Sequence, residues 1–436
     1  LTANLQAAPQ LSNTLVSCLQ DKSSQINHSN QERSLLAVSS CLSSFVQNLE
    51  TKVNNKPIAK SASANAGSKP SFIPSTSFAG KPTENPDSAD SDAYGSRAGS
   101  EDDGAGNNVY YGVGAGGRSG SASGHVGNVS IGYQTLYSLT SGDNNSAMGS
   151  KALYSNTTGE DNLAMGRQSL YSNTSGGNNS AIGSNTLYSN TTGSDNLALG
   201  YAALYANTTG YNNNAIGYAA LSANTTGKDN LALGFQSLYT NTEGDSNTAI
   251  GGKTLYSNTT GEDNLAMGSN ALYSNTSGGN NSAMGGNALY SNTEGADNIA
   301  LGYAAMYYNT SGSSNNAMGY AALSANTVGN RNLAVGFQSL YTNTEGDNNS
   351  AIGYQALYAN TTASSNSAFG YESLRSNTTG ARNVALGYQS LYTNTTESDL
   401  TAIGYQALYN NTTGTQNTGL GYQALYSNTT GARNTA

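Results

Sequence analysis

From Ile131 onward, a short apolar segment alternates with a polar turn, and the pattern repeats every 17 residues. Each repeat carries one glycine directly after the apolar segment, and these glycines run from Gly132 to Gly421 without insertion or deletion. The consensus reads G-Y-Q-A-L-Y-S-N-T-T-G-x-x-N-x-A-I. A short fixed period is typical of solenoids, whose repeats bury apolar residues only by stacking on one another. We therefore predict a mainly β fold over 131–436, a parallel β-solenoid or β-roll of 18 seventeen-residue repeats.

The large and small residues of each repeat predict its interior. Around Gly166, large apolar side chains stand at Met165 and Leu170, whereas Ala164 is small. Small residues allow two backbones to approach closely, and large ones fill a narrow core. We therefore predict that Met165 and Leu170 both point inward.

The polar turn, as in Asn173-Thr174-Ser175-Gly176, is rich in the residues that turns require. Glycine tolerates a positive φ, and an Asn side chain can bond its own backbone. We predict that Gly176 supplies a positive φ to the turn.

The sequence also shows a period of two repeats, which is compatible with a coil of 34 residues. The third position before the glycine alternates between polar and apolar residues, as in Ser146 and Leu163, and Asp161 and Asp195 follow the same alternation. In a 34-residue coil these aspartates would stack about 4.8 Å apart, where like charges repel. The charge pattern therefore favours a 17-residue coil.

The residues before the repeats divide into three segments. Leu11, Leu15 and Leu19 form one helical stripe, and a second helical pattern follows, so residues 1–50 are predicted to form a small helical hairpin. Residues 51–108 carry five of the six prolines and are predicted to be a flexible linker. Residues 109–130 are rich in Gly and Ser and are predicted to cap the first edge of the solenoid.

The two cysteines, Cys18 and Cys41, lie one on each predicted helix. A disulfide between them would close a loop of about 24 residues and contribute on the order of 3 kcal/mol in the chain-entropy model. Two short helices bury little core, so this disulfide is the favoured prediction. The alternative is a pair of reduced, buried thiols.

Charge and composition narrow the class of function. The net charge is −9 and the repeats contain no cluster of Lys or Arg, which argues against binding to nucleic acid. No apolar run approaches the roughly 18 residues of a membrane span. The histidines, His28 and His125, lie outside the repeats, and no nucleophile recurs beside a base. We therefore predict no enzymatic activity, no cofactor and no metal site.

Asn-Thr-Thr or Asn-Thr-Ser recurs at the turn and forms acceptor sequons for N-glycosylation. The candidate acceptors are Asn156, Asn173, Asn190, Asn207, Asn224, Asn258, Asn275, Asn309, Asn360, Asn377, Asn394, Asn411 and Asn428. The other interpretation is turn chemistry alone, because Asn241, Asn292 and Asn343 occupy the same position before Thr-Glu.

A tyrosine column begins at Tyr137 and holds Tyr in 15 of the 18 repeats. Stacked aromatic rings stabilise a ladder of strands, and an exposed strip of them can bind sugars. The interruptions at Ser222 and Arg375 favour the structural role. Because Thr recurs at regular intervals in the turns, ice binding is a further alternative function.

The motif Asn-x-Ala-Ile-Gly, as in Asn179-Ser180-Ala181-Ile182-Gly183 and Asn349-Ser350-Ala351-Ile352-Gly353, resembles the head repeats of trimeric autotransporter adhesins and related trimeric fibre proteins. The similarity covers about 300 residues. It implies a parallel β-roll assembled as a trimer on a bacterial surface. The family's repeats are usually shorter, and the 17-residue length and the tyrosine column depart from them.

These observations predict an extracellular structural rod, the self-assembling shaft of a cell-surface fibre, filament or adhesin. A glycan- or ice-binding module that uses the Tyr or Thr columns is the alternative, with surface glycans as possible ligands. The sequence stops inside a repeat at Ala436, so either the natural chain continues or another copy covers the last coil, and we favour the second, as a head-to-tail filament. A lateral homotrimer is the second assembly that we consider.

Overall fold

The computed structural model describes residues 107–117 and 125–436, and the backbone of residues 92–94. The predicted helical hairpin at 1–50, with Cys18 and Cys41, lies outside the described residues, as does almost all of the predicted linker. The statements below concern the described residues alone.

Strands of three residues form one parallel sheet along the chain, and the described part contains no helix. The strands are β1 (Asp92–Tyr94), β2 (Val109–Tyr111), β3 (Val129–Ile131), β4 (Ser146–Met148), β5 (Leu163–Met165), β6 (Ser180–Ile182), β7 (Leu197–Leu199), β8 (Asn214–Ile216), β9 (Leu231–Leu233), β10 (Thr248–Ile250), β11 (Leu265–Met267), β12 (Ser282–Met284), β13 (Ile299–Leu301), β14 (Asn316–Met318), β15 (Leu333–Val335), β16 (Ser350–Ile352), β17 (Ser367–Phe369), β18 (Val384–Leu386), β19 (Thr401–Ile403) and β20 (Thr418–Leu420).

The register of the strands confirms the 17-residue coil. Ser146 pairs with Leu163, and Leu163 pairs with Ser180, so polar and apolar residues alternate between neighbouring coils of one sheet. A 34-residue coil would instead pair Ser146 with Ser180. The parallel β-solenoid predicted from the 17-residue period is therefore confirmed.

The sheet extends further toward the N-terminus than the repeats do. β2 pairs with β3, with Val109 opposite Val129, and β1, inside the segment predicted as linker, pairs with β2. The residues of β2 follow the pattern of a repeat. Asn108 is the interior Asn before the strand, Tyr110 is the buried middle residue, and Gly112 is the glycine at positive φ. The segment predicted to cap the solenoid thus contributes a strand of the same sheet.

The middle residue of each strand faces the interior. In β5, Ala164 is buried, whereas Leu163 is half-buried and Met165 is 38% exposed. Alternate residues of a strand point to opposite faces, so an inward Ala164 places Met165 outside. The prediction that Met165 fills the core is therefore wrong, and the prediction for Leu170, which is fully buried, is confirmed.

The interior is a stack of small residues beside one column of leucines. From β4 to β19 the middle strand residue is always Ala, and each is buried. The leucine column runs from Leu136 to Leu408 with one substitution, Met306, and every member is fully buried. Adjacent coils lie about 4.8 Å apart, so each leucine packs directly on the leucines of the two neighbouring coils.

Positive φ angles occur where the sequence did not indicate them. Gln168 (φ 57°) and Leu170 (φ 50°) adopt the left-handed region, and so do their equivalents in every repeat. The Gln168 N–H donates to the Ser150 carbonyl of the preceding coil at 2.9 Å, whereas the Leu170 N–H donates to the Thr186 carbonyl of the following coil at 2.9 Å. These bonds to both neighbours hold a conformation that costs roughly 1–2 kcal/mol per residue in isolation.

The two glycines of a repeat have different roles. Gly166, directly after β5, has φ 140°, a region that other residues rarely adopt. Gly176 in the turn is not among the glycines at positive φ, so our prediction for it is wrong. A Cβ on Gly176 would instead collide with the Gly193 carbonyl oxygen and would lie 2.6 Å from Asn173 Oδ1. Two coils and an interior amide meet at this position, which favours glycine, and two repeats carry Ala363 and Glu397 there instead.

Candidate functional surface

Two columns of asparagine side chains fill the polar half of the interior. The strand-side ladder places one Asn directly before each strand, as at Asn145, Asn162 and Asn179. The turn-side ladder uses the first Asn of each turn, as at Asn156 and Asn173. Leu400 interrupts the strand-side ladder, whereas the turn-side ladder begins at Asn156, one repeat after Leu139.

The ladders bond each coil to its neighbour and also cross the coil. Asn173 Nδ2 donates to Asn156 Oδ1 at 2.8 Å and to the Gly176 carbonyl at 2.9 Å. Asn162 Nδ2 reaches the same Gly176 carbonyl at 2.9 Å and Asn145 Oδ1 at 3.0 Å. Buried polar groups are tolerated when their hydrogen bonds are satisfied, and here both amide hydrogens have partners.

The candidate glycosylation sites belong to the turn-side ladder. Twelve of the thirteen are buried, and the thirteenth, Asn428 in the last coil, is half-buried. At Asn258, for example, the Nδ2 that would carry a glycan bonds Asn241 Oδ1 at 2.7 Å and the Gly261 carbonyl at 2.9 Å. This geometry favours turn and core chemistry as the reason for the Asn-Thr-Thr sequence.

The tyrosine column lies on the surface of the coil as an offset stack. Rings from Tyr137 to Tyr205 are 5.1–5.2 Å apart at 3–9°, and the column resumes between Tyr239 and Tyr307. Burial first, and neighbouring tyrosines second, raise the pKa of Tyr188 above its usual value. Each inner ring has its two faces covered by neighbours, so mainly ring edges and hydroxyls meet solvent.

A second aromatic column stands directly after the strand glycines and was not predicted. Eight consecutive rings stack 5.0–5.7 Å apart from Tyr303 to Tyr422, and a shorter stack joins Tyr201, Tyr218 and Phe235. These rings are 41–74% exposed. The consensus has Tyr at this position, but other repeats carry Ser, Arg or Gly there, and the stacking of these rings was not inferred from it.

The outer face of the sheet carries an unbroken apolar stripe, the last residue of each strand. From Ile131 to Leu420 this residue is always Ile, Met, Leu, Val or Phe, and none is buried. Met148 is 45% exposed and Leu386 is 46% exposed. Contiguous apolar surfaces of this kind mark sites of interaction with other molecules.

The threonines of the turns bond the neighbouring coil. Thr174 Oγ1 donates to the Thr191 carbonyl at 3.0 Å, and Thr208 Oγ1 donates to the Thr225 carbonyl at 3.0 Å. The hydroxyl hydrogens are therefore directed along the rod, which reduces what they can offer to ordered water.

Charged groups are sparse on the described surface. Arg382 forms a double hydrogen bond with Asp399, at 2.7 and 3.0 Å, and this contact lowers the pKa of Asp399. His125, outside the repeats, is buried, with Nε2 3.0 Å from the Tyr110 hydroxyl. Among the residues described, no three His, Cys, Asp or Glu side chains gather as metal ligands would.

Over the same residues, no helix has the length and apolarity of a membrane span. Comparison with protein-family models, with curated proteins and with solved structures found no match.

Proposed function

We propose that this chain is a structural rod that serves as the shaft of an extracellular fibre, filament or adhesin. The observation that carries the proposal is the uninterrupted register, in which each strand from β3 to β19 pairs with the strand of the next repeat. An identical step repeated without insertion extends the chain as a rod, with the same surface repeated on every coil. Backbone bonds, Asn ladders and ring stacks all run along the same axis.

The apolar stripe supports lateral assembly with further copies of this chain. Only a partner with the same rise per coil can match an apolar residue at every step from Ile131 to Leu420. A second copy of the chain meets this condition. The resemblance to the repeats of trimeric fibre proteins supports three copies around one axis.

Head-to-tail association is the assembly that the sequence favours, and the apolar stripe adds support for the lateral one. It uses the ends of the rod, whereas lateral assembly uses the stripe, so the two can be separated by mutation. Met165 and Leu199 lie on the stripe and are 38% and 41% exposed, which makes them suitable for substitution.

Electron microscopy combined with sedimentation tests both parts of the proposal. The intact chain is expected to form rods whose repeat region measures roughly 85 Å, at about 4.8 Å per coil. Removal of residues 149–250, a whole number of coils, should shorten the rod by roughly 29 Å. A compact particle, or a length that does not follow the deletion, would exclude the rod.

The paired change Met165→Glu and Leu199→Glu is expected to dissociate lateral assemblies while the rod stays folded. Ser175→Glu and Thr209→Glu, two exposed turn residues at the position where another repeat carries Glu243, are the matched control. Equal sedimentation of both variants and the intact chain would exclude the stripe as the interface. The extracellular location is tested by antibodies to the folded rod, which should label intact cells of the source organism.

Glycan or ice binding finds less support in the geometry. The inner tyrosine rings stack face to face, so their faces do not offer the platform on which a sugar ring packs. The turn threonines direct their hydroxyl hydrogens to backbone carbonyls of the next coil. Both observations favour a structural role for the two columns.

A further inference from the structure

The tyrosine column is interrupted at three coils, and the three gaps are occupied differently. The column residue is Ser222 in the first gap, Ser324 in the second and Arg375 in the third. Each gap lies between two tyrosines that are two coils apart, so the space equals one missing ring.

At the third gap a planar group of the chain replaces the missing ring. The guanidinium carbon of Arg375 lies 5.3 Å from the centre of the Tyr358 ring and 5.9 Å from that of Tyr392. Gln355 and Glu372 hold it there, with Nε 3.1 Å from Gln355 Oε1 and 3.5 Å from Glu372 Oε1. A gap of one coil therefore accepts a flat group at nearly the spacing of the ring stack.

At the second gap the ring of a neighbouring residue occupies the surface. Tyr308 packs edge-on against Tyr307, with ring centres 4.6 Å apart, and its N–H donates to the Ser324 carbonyl at 2.9 Å. Ser324 is only 5% exposed, and Tyr307 is half-buried. The gap is thus covered from within the chain.

The first gap is the same site without its cover. Residues 149–250 resemble 251–352 repeat by repeat, and Ala206 stands where the later block has Tyr308. Ser222 is half-buried, whereas Ser324 is buried. Tyr205 is 38% exposed, whereas every other ring of the column is half-buried. The missing cover therefore leaves a ring face of Tyr205 open to solvent.

We propose that this slot, formed by Tyr205, Ser222 and Tyr239 beside Ala206, binds one aromatic side chain of a partner protein. A ring inserted over Ser222 continues the stack at the spacing that the chain itself uses, with a tyrosine face on each side. Gln355 and Glu372, which hold Arg375, have Ala202 and Ala219 as their equivalents here, so the slot favours an uncharged ring over a guanidinium. One ring buries too little surface to hold a free small molecule tightly, so the ring belongs to a larger partner.

The test exchanges residues that the chain already uses at equivalent positions. The probe is 4-fluorophenol, observed by fluorine NMR as line broadening in the presence of the full chain. Ala206→Tyr copies the cover of the second gap, and Ser222→Tyr restores the column. Both should reduce the broadening roughly twofold or more, since each removes the open ring face. Tyr308→Ala should increase it by uncovering the second slot.

Circular dichroism should be unchanged in the three variants, because Ala206 and Tyr308 are exchanged between the two blocks and Ser222→Tyr introduces the residue that 15 of the 18 repeats carry. Equal broadening in the intact chain and all three variants would overturn the proposal. So would displacement of 4-fluorophenol by equimolar methylguanidinium, which would show that the slot selects a cation. These results do not depend on how the rods assemble.

Discussion

Asn241 donates from Nδ2 to Asn224 Oδ1 across 3.0 Å, one coil away, and both side chains are fully buried. This contact is one step of a ladder that continues to Asn258 at 2.7 Å. An amide in such a column has no water to replace a lost partner, so the stability of the rod depends on each member.

Loss of one ladder member should destabilise the rod strongly. Asn241→Ala deprives Asn258 Nδ2 and Asn224 Oδ1 of one hydrogen-bond partner each, and we expect it to lower the free energy of unfolding by about 1–3 kcal/mol or more. Asn410→Ala, which removes a half-buried surface amide where another repeat carries Ala359, should change it by less than about 0.5 kcal/mol. Chemical denaturation measures both, and similar losses would contradict an interior ladder.

The direction of each side chain can be tested with two leucines of one repeat. Leu238 is fully buried and Leu233 is 39% exposed. Leu238→Ala should cost about 2–5 kcal/mol because it leaves a cavity in the leucine column. Leu233→Ala should cost far less in the free energy of unfolding while weakening lateral assembly. The opposite order would show that the inside and outside of the strand are exchanged.

Alanine substitution at two adjacent glycines compares a strained backbone position with an unstrained one. Gly251 has φ 134°, and a Cβ there would lie 2.9 Å from the Gly268 carbonyl oxygen, whereas a Cβ on Gly252 meets nothing within 4 Å. Gly251→Ala should destabilise the rod by roughly 1–3 kcal/mol or more. Gly252→Ala should be neutral or stabilise by up to about 1 kcal/mol, since it restricts the unfolded chain. Thermal unfolding of the two variants should therefore shift in different directions or by very different amounts.

The rod should lose stability at alkaline pH. Burial raises the pKa of Tyr188, Tyr256 and Tyr409 above the usual 10.0, and neighbouring tyrosines add to the shift. A group whose pKa is higher in the folded state contributes stability that is present below the unfolded pKa and lost as pH rises through the folded value. Tyr256→Phe removes one such group and should make the decline above about pH 10 less steep. An unchanged pH profile would contradict this assignment.

Expression in a host that performs N-glycosylation tests the sequons. We expect folded rods to carry no glycan at Asn173 or Asn258, because their amides are buried and bonded. Asn428, half-buried in the last coil, is the position where a glycan meets least hindrance. Peptide mass spectrometry gives the occupancy, and a glycan on Asn258 in the folded rod would contradict the interior ladder.

The period, the coil length and the leucine column could be predicted from the sequence, because stacking in register places the same chemistry at the same point of every repeat. The direction of Met165 could not, since alternation in a three-residue strand has two possible phases and the sequence does not show that the small Ala164 faces the interior. The Asn ladders were hidden for a similar reason. Asn173 is a common turn residue, and only the folded coil shows that its side chain points inward.

Features of the surface were harder to predict from the sequence than those of the core. The stack from Tyr303 to Tyr422 occupies a position where the consensus has Tyr but other repeats hold Ser, Gly or Arg, so the consensus alone does not show where the rings stack without interruption. The slot at Ser222 is open because Ala206 is small, and this is evident only when the equivalent gap is seen to be covered by Tyr308. Sites of this kind arise from exceptions to the repeat, and a consensus averages exceptions away.

The two Asn ladders have the same direction along the rod. In both ladders the donor is on the later coil and the acceptor on the earlier one, as in Asn190 to Asn173 and Asn179 to Asn162. The Oδ1 of the strand-side ladder also accepts a backbone N–H, which fixes the orientation of its amides. Backbone N–H groups donate toward both ends, but these amide dipoles all point one way in a low-dielectric interior, where each polarises the next. Each ladder is therefore a line of amide dipoles that point one way, whereas the turn threonines, which donate from the earlier coil to the later one, point the other way.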